Sequence, residues 1–343
     1  MHSHCELCFS ENLVFHERRD AKEKISLNIT HCLNCGLIQQ KNIPTDEDLK
    51  IYYSHNYRQD YKSTYSPKLK HVQRAGQAAL DRINFLEKYI KIINQVLIDI
   101  GAGGGEFVYM AKQSGLNSLG IEPNLGYSSF SKEQYGVDVK TAMLADVDNS
   151  SADILTLFHV FEHMAKPHDV VKKLYQSIRD NGYLFIEVPN ILQSDASPHN
   201  IYFKAHLFYY SKYTLISIAS RYFDVVHVED QGNLRILFRK KLNVLEAICL
   251  PTQDELKLSQ NRLIKKGWLE YLFVGGGLIK PILRIERIIS EHLIGTKKPR
   301  EILDRLLEDK QNIAGVLTKR SLKRAGGWSA AGGFGFLCFE AFC

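Results

Sequence analysis

The sequence predicts an α/β protein built on a doubly wound sheet of seven strands with an antiparallel edge hairpin. A small cysteine-rich ribbon precedes the sheet and a helical extension follows it. Three observations predict this. Two Cys-x-x-Cys pairs, Cys5/Cys8 and Cys32/Cys35, lie near the N-terminus with 23 residues between them. An apolar run at Val96–Ile100 leads into four glycines within five residues, 101-GAGGG-105. Beyond that turn, short apolar runs alternate with helical patterns as far as residue 240, the rhythm of βαβ units. At 343 residues, 45% hydrophobic and 24% charged, the chain can hold one large domain with additions. No apolar run approaches the roughly 20 residues that span a bilayer. The opening MHSHCELC has neither the basic start nor the apolar core of a secretory leader. A cytoplasmic, reducing setting is therefore expected, and the seven cysteines read as thiols or metal ligands rather than disulfides.

Each Cys-x-x-Cys pair suits a tight turn that aims two thiolates at one tetrahedral ion, with Gly36 free to bend after the second pair. This is the spacing of a zinc ribbon, here residues 1–42 with Cys5, Cys8, Cys32 and Cys35 as ligands. Four thiolates close the shell, so the Zn2+ is expected to be structural, with His2, His4 and His31 outside it. A ribbon of about 40 residues is too small to fold on its own core, and the ion supplies the missing stability. Residues 43–94 then read as a connector containing the Tyr-rich stretch 51-IYYSHNYRQDYKSTY-65 and a helix.

The main domain is expected over 95–240. Val96–Ile100 is continuously apolar, as a buried parallel strand should be. A helix from Glu106 to about Gly115 and a strand over Ser118–Glu122 complete one βαβ unit. A dinucleotide fingerprint would place a third glycine where Glu106 stands, and a phosphate-binding loop would need a lysine that is absent. An acid at a helix N-terminus also disfavours a pyrophosphate. Further strands are expected at 137–141, 152–158, 183–188, 224–229 and 234–239. Helices are expected from Pro167 to about Arg179 and from Ser211, with a turn at Asn181-Gly182.

Asp99-Ile-Gly-Ala-Gly-Gly-Gly105 resembles the first motif of the class I S-adenosylmethionine-dependent methyltransferases. The segments 152–190 and 206–230 look like the later part of the same Rossmann-like fold, so the resemblance covers about 90–240. It implies S-adenosyl-L-methionine as cofactor, held by Asp99, Gly101, Ala102, Gly103 and Gly105. Glu122 would accept from the ribose hydroxyls with Pro123 beside it, and Phe158 and His159 would lie at the methionine end or the substrate. The ribbon-plus-methyltransferase layout is similar to the nucleotide-sugar C-methyltransferases, where a Glu-His pair acts near the substrate. His206 matches that histidine, but Ala205 stands in place of the glutamate, which leaves His206 as a base suited to O-methylation or as a residue that orients the substrate. His206 and His159 are thus the catalytic candidates, while His163 reads as structural. In the resembled family a Tyr-rich connector packs over the site. This makes Tyr52, Tyr53 and Tyr57 substrate-side candidates, together with Asn190 and Tyr209.

The implied activity is methyl transfer to a small hydroxylated acceptor, a sugar or nucleotide sugar of cell-surface glycan or secondary metabolism. Two alternatives stand beside it: an RNA or protein methyltransferase gripping its substrate with the ribbon and basic C-terminus, and a non-catalytic cofactor-binding protein. Nucleic acid is not the expected partner, because Val188-Pro189-Asn190-Ile191 stands where base amino-group methyltransferases carry Asn/Asp-Pro-Pro-aromatic.

Charge is unevenly spread: residues 1–239 hold 26 Lys/Arg and 27 Asp/Glu, whereas residues 240–324 hold 18 and 10, a net of +8. The basic part is a helical extension over 241–325. Its most apolar piece, 268-WLEYLFVGGGLIKPILRIERII-289, is broken by Gly275–Gly277 and Pro281. An accessory layer on the core is expected, with a peripheral membrane or protein contact through 268–289 as the alternative. Residues 326–343 turn abruptly to small and aromatic types and read as a disordered tail, with Cys338 and Cys343 outside any ligand set.

Overall fold

The structure, a computed structural model, describes residues 4–51, 69–292, 298–310 and 312. Tyr52, Tyr53, Tyr57, the tail 326–343 and its two cysteines lie outside the described residues.

The apolar runs form a seven-stranded sheet in the order β10-β11-β8-β7-β4-β5-β6. Its strands are β4 (Val96–Ile100), β5 (Asn117–Ile121), β6 (Val139–Lys140), β7 (Ala152–Phe158), β8 (Ile178–Val188), β10 (Phe223–Glu229) and β11 (Leu234–Lys240). The five from β4 to β8 run parallel, and β11 and β10 complete an antiparallel edge. The order reverses at β4, whose neighbours are β5 and β7, so a crevice opens beyond the carboxyl ends of these three strands. Strand β8 begins five residues before the expected Tyr183. Asn181 sits inside it at φ 63°, a left-handed conformation that asparagine tolerates, so the expected turn is a kink within a strand.

Helices α2 (Leu69–Tyr89), α3 (Glu106–Gln113), α4 (Leu125–Tyr135), α5 (Pro167–Ser177) and α6 (Lys212–Ala219) flank the sheet, after a short α1 (Asp46–Ile51). Strand side chains alternate between two cores. Ile98, Leu155, Leu157, Leu184, Ile186 and Phe238 enter one cluster with α5 and α6. Leu97, Ile154, Phe185 and Leu237 enter the other with α2 and α3. On the second face the period-2 pattern continues into polar residues toward the carboxyl ends, at Asp99, Thr156 and Glu187, all buried. Apolar alternation gives way to polar chemistry where the crevice begins.

The ribbon strands β1 (Leu13–Arg19), β2 (Ser26–Cys32) and β3 (Ile38–Gln40) form a second sheet, completed by β9 (Phe208–Tyr209) from the main domain. Ile38 pairs with Tyr209 and Gln39 with Phe208, antiparallel. The Gln40 amide donates to the carbonyls of Lys204 and His206, each at 2.8 Å. Cys5, Leu7, Cys32, Cys35 and Leu37 share a buried cluster with one face of the large sheet. The stretch before α6, where no strand is expected, therefore contains a strand held by the ribbon.

After β11 come α7 (Gln253–Lys265), α8 (Trp268–Phe273) and α9 (Lys280–His292). A further helix over 299–310 lies on α2, where Gly76 leaves room for Leu303 and Leu306. The extension thus divides. Residues 299–310 pack as the expected layer, while α8 and α9 leave Leu269, Phe273 and Ile285 more than half exposed. Among the described residues no helix is long and apolar enough to cross a membrane.

Candidate functional site

The glycine turn is pinned before any ligand enters. Gly101 and Ala102 donate their N–H groups to the Ile121 carbonyl at 2.7 and 3.0 Å. Gly101 sits at φ 74°, and a Cβ there would meet Val160 Cγ2 at 2.4 Å, so glycine alone fits. Glu122, just past β5, accepts the Gly103 N–H at 2.9 Å and the Asn124 N–H at 3.1 Å. Each carboxylate oxygen has two lone pairs, so this fixed acid can still accept from hydroxyls placed over the turn.

Above the turn lies a cavity of about 860 Å³ whose lining includes Gly101, Gly103, Glu122, Pro123, Phe158 and His159. Met143, Leu144 and Asp146 close another side. Sequence reasoning missed these three, although a loop following a strand at the carboxyl edge is where the topology directs a search. Glu106, the residue that excluded a pyrophosphate, also reaches the lining.

Asp99, Ala102 and Gly105 do not line the cavity; they build the floor beneath it. Asp99 is 3% exposed and accepts the Thr156 hydroxyl at 2.7 Å, facing its register partner on β7. Burial raises this carboxyl to about 7, against the lowering pull of the Thr156 hydrogen bond and Arg82. A folded-state value above the ordinary carboxylate value means the fold retains the proton, so stability falls as pH rises from about 4 to 7. Asp99→Asn retains an acceptor for Thr156. It is expected to match the wild type near pH 4 and to exceed it at pH 8 by on the order of 1–3 kcal/mol. Urea unfolding at the two pH values measures this, and an unchanged difference between them would refute it.

Beside this floor a charged network closes the rear of the cavity. Glu187, 2% exposed, accepts from Arg82 Nη2 at 2.8 Å, Arg82 Nε at 3.1 Å and Arg235 Nε at 2.9 Å. His159 Nε2 lies 3.2 Å from the same carboxylate, and Glu162 Oε1 lies 3.6 Å from His159 Nδ1. The Arg82 guanidinium also stands over the Phe158 ring at 4.1 Å. Burial would raise Glu187, but His159 and Arg82 hold it well below the carboxylate range. Burial would likewise lower His159, and Glu162 and Glu187 reverse this, raising it to about 9. Held near 9, the His159 ring keeps its proton at neutral pH, with its two ring nitrogens facing Glu187 and Glu162.

A second cavity, about 190 Å³, lies next to the first and is lined by Asn190, His206, Tyr209, Asn233 and Lys266 among others. Asn233 Nδ2 sits 3.1 Å from His159 Nε2, which places His159 on the wall between the two. Asn190 donates to the Asp230 carbonyl at 2.9 Å and accepts from the Leu192 N–H at 3.0 Å. Tyr209 Oη donates to the Phe203 carbonyl at 3.1 Å. Both expected substrate contacts therefore also hold the loop in shape. Lys266, missed in the sequence, donates to the carbonyls of Ile191 and Gln193 at 2.6 and 2.7 Å, and burial lowers it to about 8. Burial, with His163 nearby, lowers His206 to about 3. The ring is neutral at physiological pH, a hydrogen-bond partner for a hydroxyl more than a strong base.

The structure gathers all four cysteines of the ribbon. Sγ atoms of Cys5 and Cys35 lie 3.5 Å apart, as do those of Cys8 and Cys32, and all four lie within 4.8 Å of one another. Thiolates sharing one tetrahedral zinc at ~2.3 Å would lie roughly 3.8 Å apart, so this donor set fits such an ion.

Comparisons with known proteins agree on the central part of the chain. Residues 69–228 match the model of a family described as a methyltransferase domain. The ubiquinone biosynthesis O-methyltransferase of Pseudomonas entomophila (strain L48) is 25% identical over 117 residues, 32% of this chain and 50% of that protein. Its counterpart from Pseudomonas fluorescens (strain SBW25) is 23% identical over the same shares. The chain spans about half the length of the curated relatives it matches. Among solved structures, magnesium protoporphyrin IX methyltransferase from Synechocystis PCC 6803, crystallised with bound SAH, aligns with a TM-score of 0.44 at 11% identity. That alignment covers 57% of this chain and 100% of the other. The glycine turn and Glu122 fall within the span that matches this methyltransferase-domain family, as does the lining of the large cavity apart from Glu47 and Leu49.

Proposed function

We propose that the protein transfers a methyl group from S-adenosylmethionine to a hydroxyl of a small acceptor, of sugar or sugar-nucleotide type. The observation that carries this reading is the adjacency of two cavities across His159. One lies over a glycine turn with a fixed acid, and the other is small and lined by polar side chains. When bound, the cofactor would supply an electrophilic methyl, with its sulfur leaving as a neutral thioether and the acceptor's hydroxyl proton passing to solvent. Glu122 orients the ribose end by accepting its hydroxyls, and the turn admits the ligand against bare backbone. His159, Asn233 and His206 hold the acceptor oxygen in line, which is the main demand of the reaction. The curated relatives are named as O-methyltransferases, which supports a hydroxyl rather than a carbon acceptor, as does Ala205 in place of a glutamate. Cys5, Cys8, Cys32 and Cys35 hold a structural Zn2+ in this reading.

Calorimetry with S-adenosylmethionine tests the first half. Glu122→Ala is expected to weaken binding by about 100-fold, the loss of two hydrogen bonds to a charged acceptor. Wild-type protein that binds no S-adenosylmethionine would sink the reading. A labelled-methyl screen tests the second half, with transfer to sugar nucleotides supporting it and transfer to RNA alone overturning it.

A further inference from the structure

The geometry points to a divalent-cation site formed by Glu162, His163 and His206, set between the two cavities and separate from the four-cysteine ribbon. It would take a borderline ion such as Mn2+, Fe2+ or Zn2+. One donor atom from each of the three side chains falls within 4.8 Å of the others. Ligands sharing such an ion lie roughly 3–4 Å apart, so side-chain shifts of about an ångström close the set.

Three further observations favour a ligand set over a chance cluster. The Glu162 side chain is 1% exposed, and neither carboxylate oxygen has a hydrogen-bond partner among the described residues. Its closest imidazole nitrogens lie at 3.6 Å, on His159, and 3.9 Å, on His163. The protonated His159 ring offsets part of the cost of burying this carboxylate, and a bound cation would supply the direct partner that neither oxygen has. Second, His163 Nδ1 is 2.6 Å from the Ala205 carbonyl while Nε2 faces Glu162. That arrangement, one ring nitrogen donating to a backbone carbonyl and the other directed at the ion, is how proteins orient metal-bound histidines. Third, the backbone locks the set together: the Leu207 N–H donates to the Glu162 carbonyl at 2.9 Å, which holds His206 beside the single turn Phe161–His163. The His163 and His206 rings stand edge to face at 4.9 Å.

Position gives the site a use. His163 reaches the large cavity and His206 the small one. Two imidazoles and one carboxylate leave coordination positions open. An acceptor hydroxyl bound there would be more acidic, and its oxygen would be directed toward the cofactor cavity. In this part the inference rests on the function proposed above, with His206 acting as ligand rather than as base.

The test is binding of the metal alone. Mn2+ and, separately, Zn2+ are titrated into full-length protein already carrying zinc, followed by the electron paramagnetic resonance of free Mn2+ and by metal analysis. One saturable equivalent beyond the ribbon ion is expected. Glu162→Gln and His206→Asn should each weaken it at least tenfold with the thermal transition retained. His206 is the more exposed of the two and guards against loss through misfolding. Absence of any added equivalent of either ion in the wild type, or unchanged binding in both variants, overturns the site. Because binding is read without turnover, a chain that takes the ion but no S-adenosylmethionine keeps this site while the proposed activity fails.

Discussion

Glu187→Gln is expected to destabilise the protein by about 3–5 kcal/mol, the cost of breaking a buried ion pair by removing one partner. The substitution keeps the shape and one acceptor but removes the charge that Arg82, Arg235 and the His159 ring all face. Arg82 and Arg235 are only 12% and 21% exposed, so water cannot replace the lost carboxylate without opening the sheet edge. Because Glu187 helps to hold His159 near 9, the ring should also titrate at lower pH in the variant, which histidine NMR resolves. Denaturant unfolding measures the stability. A loss under about 1 kcal/mol would show that the network is solvated and contributes no more than a surface pair.

The second large effect is at the ribbon. Cys35→Ser, or extraction of metal by a chelator, is expected to unfold residues 4–41 and to loosen 203–210 with them. Structural zinc contributes about 10 kcal/mol or more of apparent binding energy to small Cys-ligated folds. With zinc held as proposed, that energy would not be confined to the ribbon, because Ile38 and Gln39 form the ladder with Phe208 and Tyr209, and Gln40 ties down two more carbonyls. Hydrogen exchange should therefore accelerate in both segments together, while β4, β5 and the glycine turn keep their protection. Acceleration in the ribbon alone would mean that the second cavity stands without it.

What the sequence disclosed was local. Val96–Ile100, the four glycines and Glu122 follow from runs and spacings within about 30 residues; Gly101, Gly103, Gly104 and Glu122 line the large cavity, whereas Gly105 does not. The two Cys-x-x-Cys pairs likewise come together because each is its own tight turn. What stayed hidden depends on pairing across the chain. Asp99 was assigned to the cofactor from its motif, yet its side chain is set by register opposite Thr156, 57 residues on. Phe208 and Tyr209 carry no strand signal of their own, because the strand they pair with lies at Ile38–Gln40. Glu187 looked like one polar residue in an apolar run; its weight comes from Arg82 and Arg235, on a distant helix and strand. Lys266 gave no signal at all, since its partners are two carbonyls in a loop over 70 residues upstream.

The pairing of β3 with β9 also bears on how the chain is made. As the polypeptide leaves the ribosome, the ribbon can close on its cysteines long before Phe208 and Tyr209 exist. Until they emerge, Ile38–Gln40 is an uncovered edge, and Ile38 and Leu37, both buried in the finished protein, stand open to other nascent chains. Closing a ladder across some 170 residues is slow compared with folding a hairpin. The step most exposed to aggregation is therefore this wait, and a strongly expressed chain should gain more from fewer chains in synthesis at once or from a chaperone than from any stabilising substitution in the sheet.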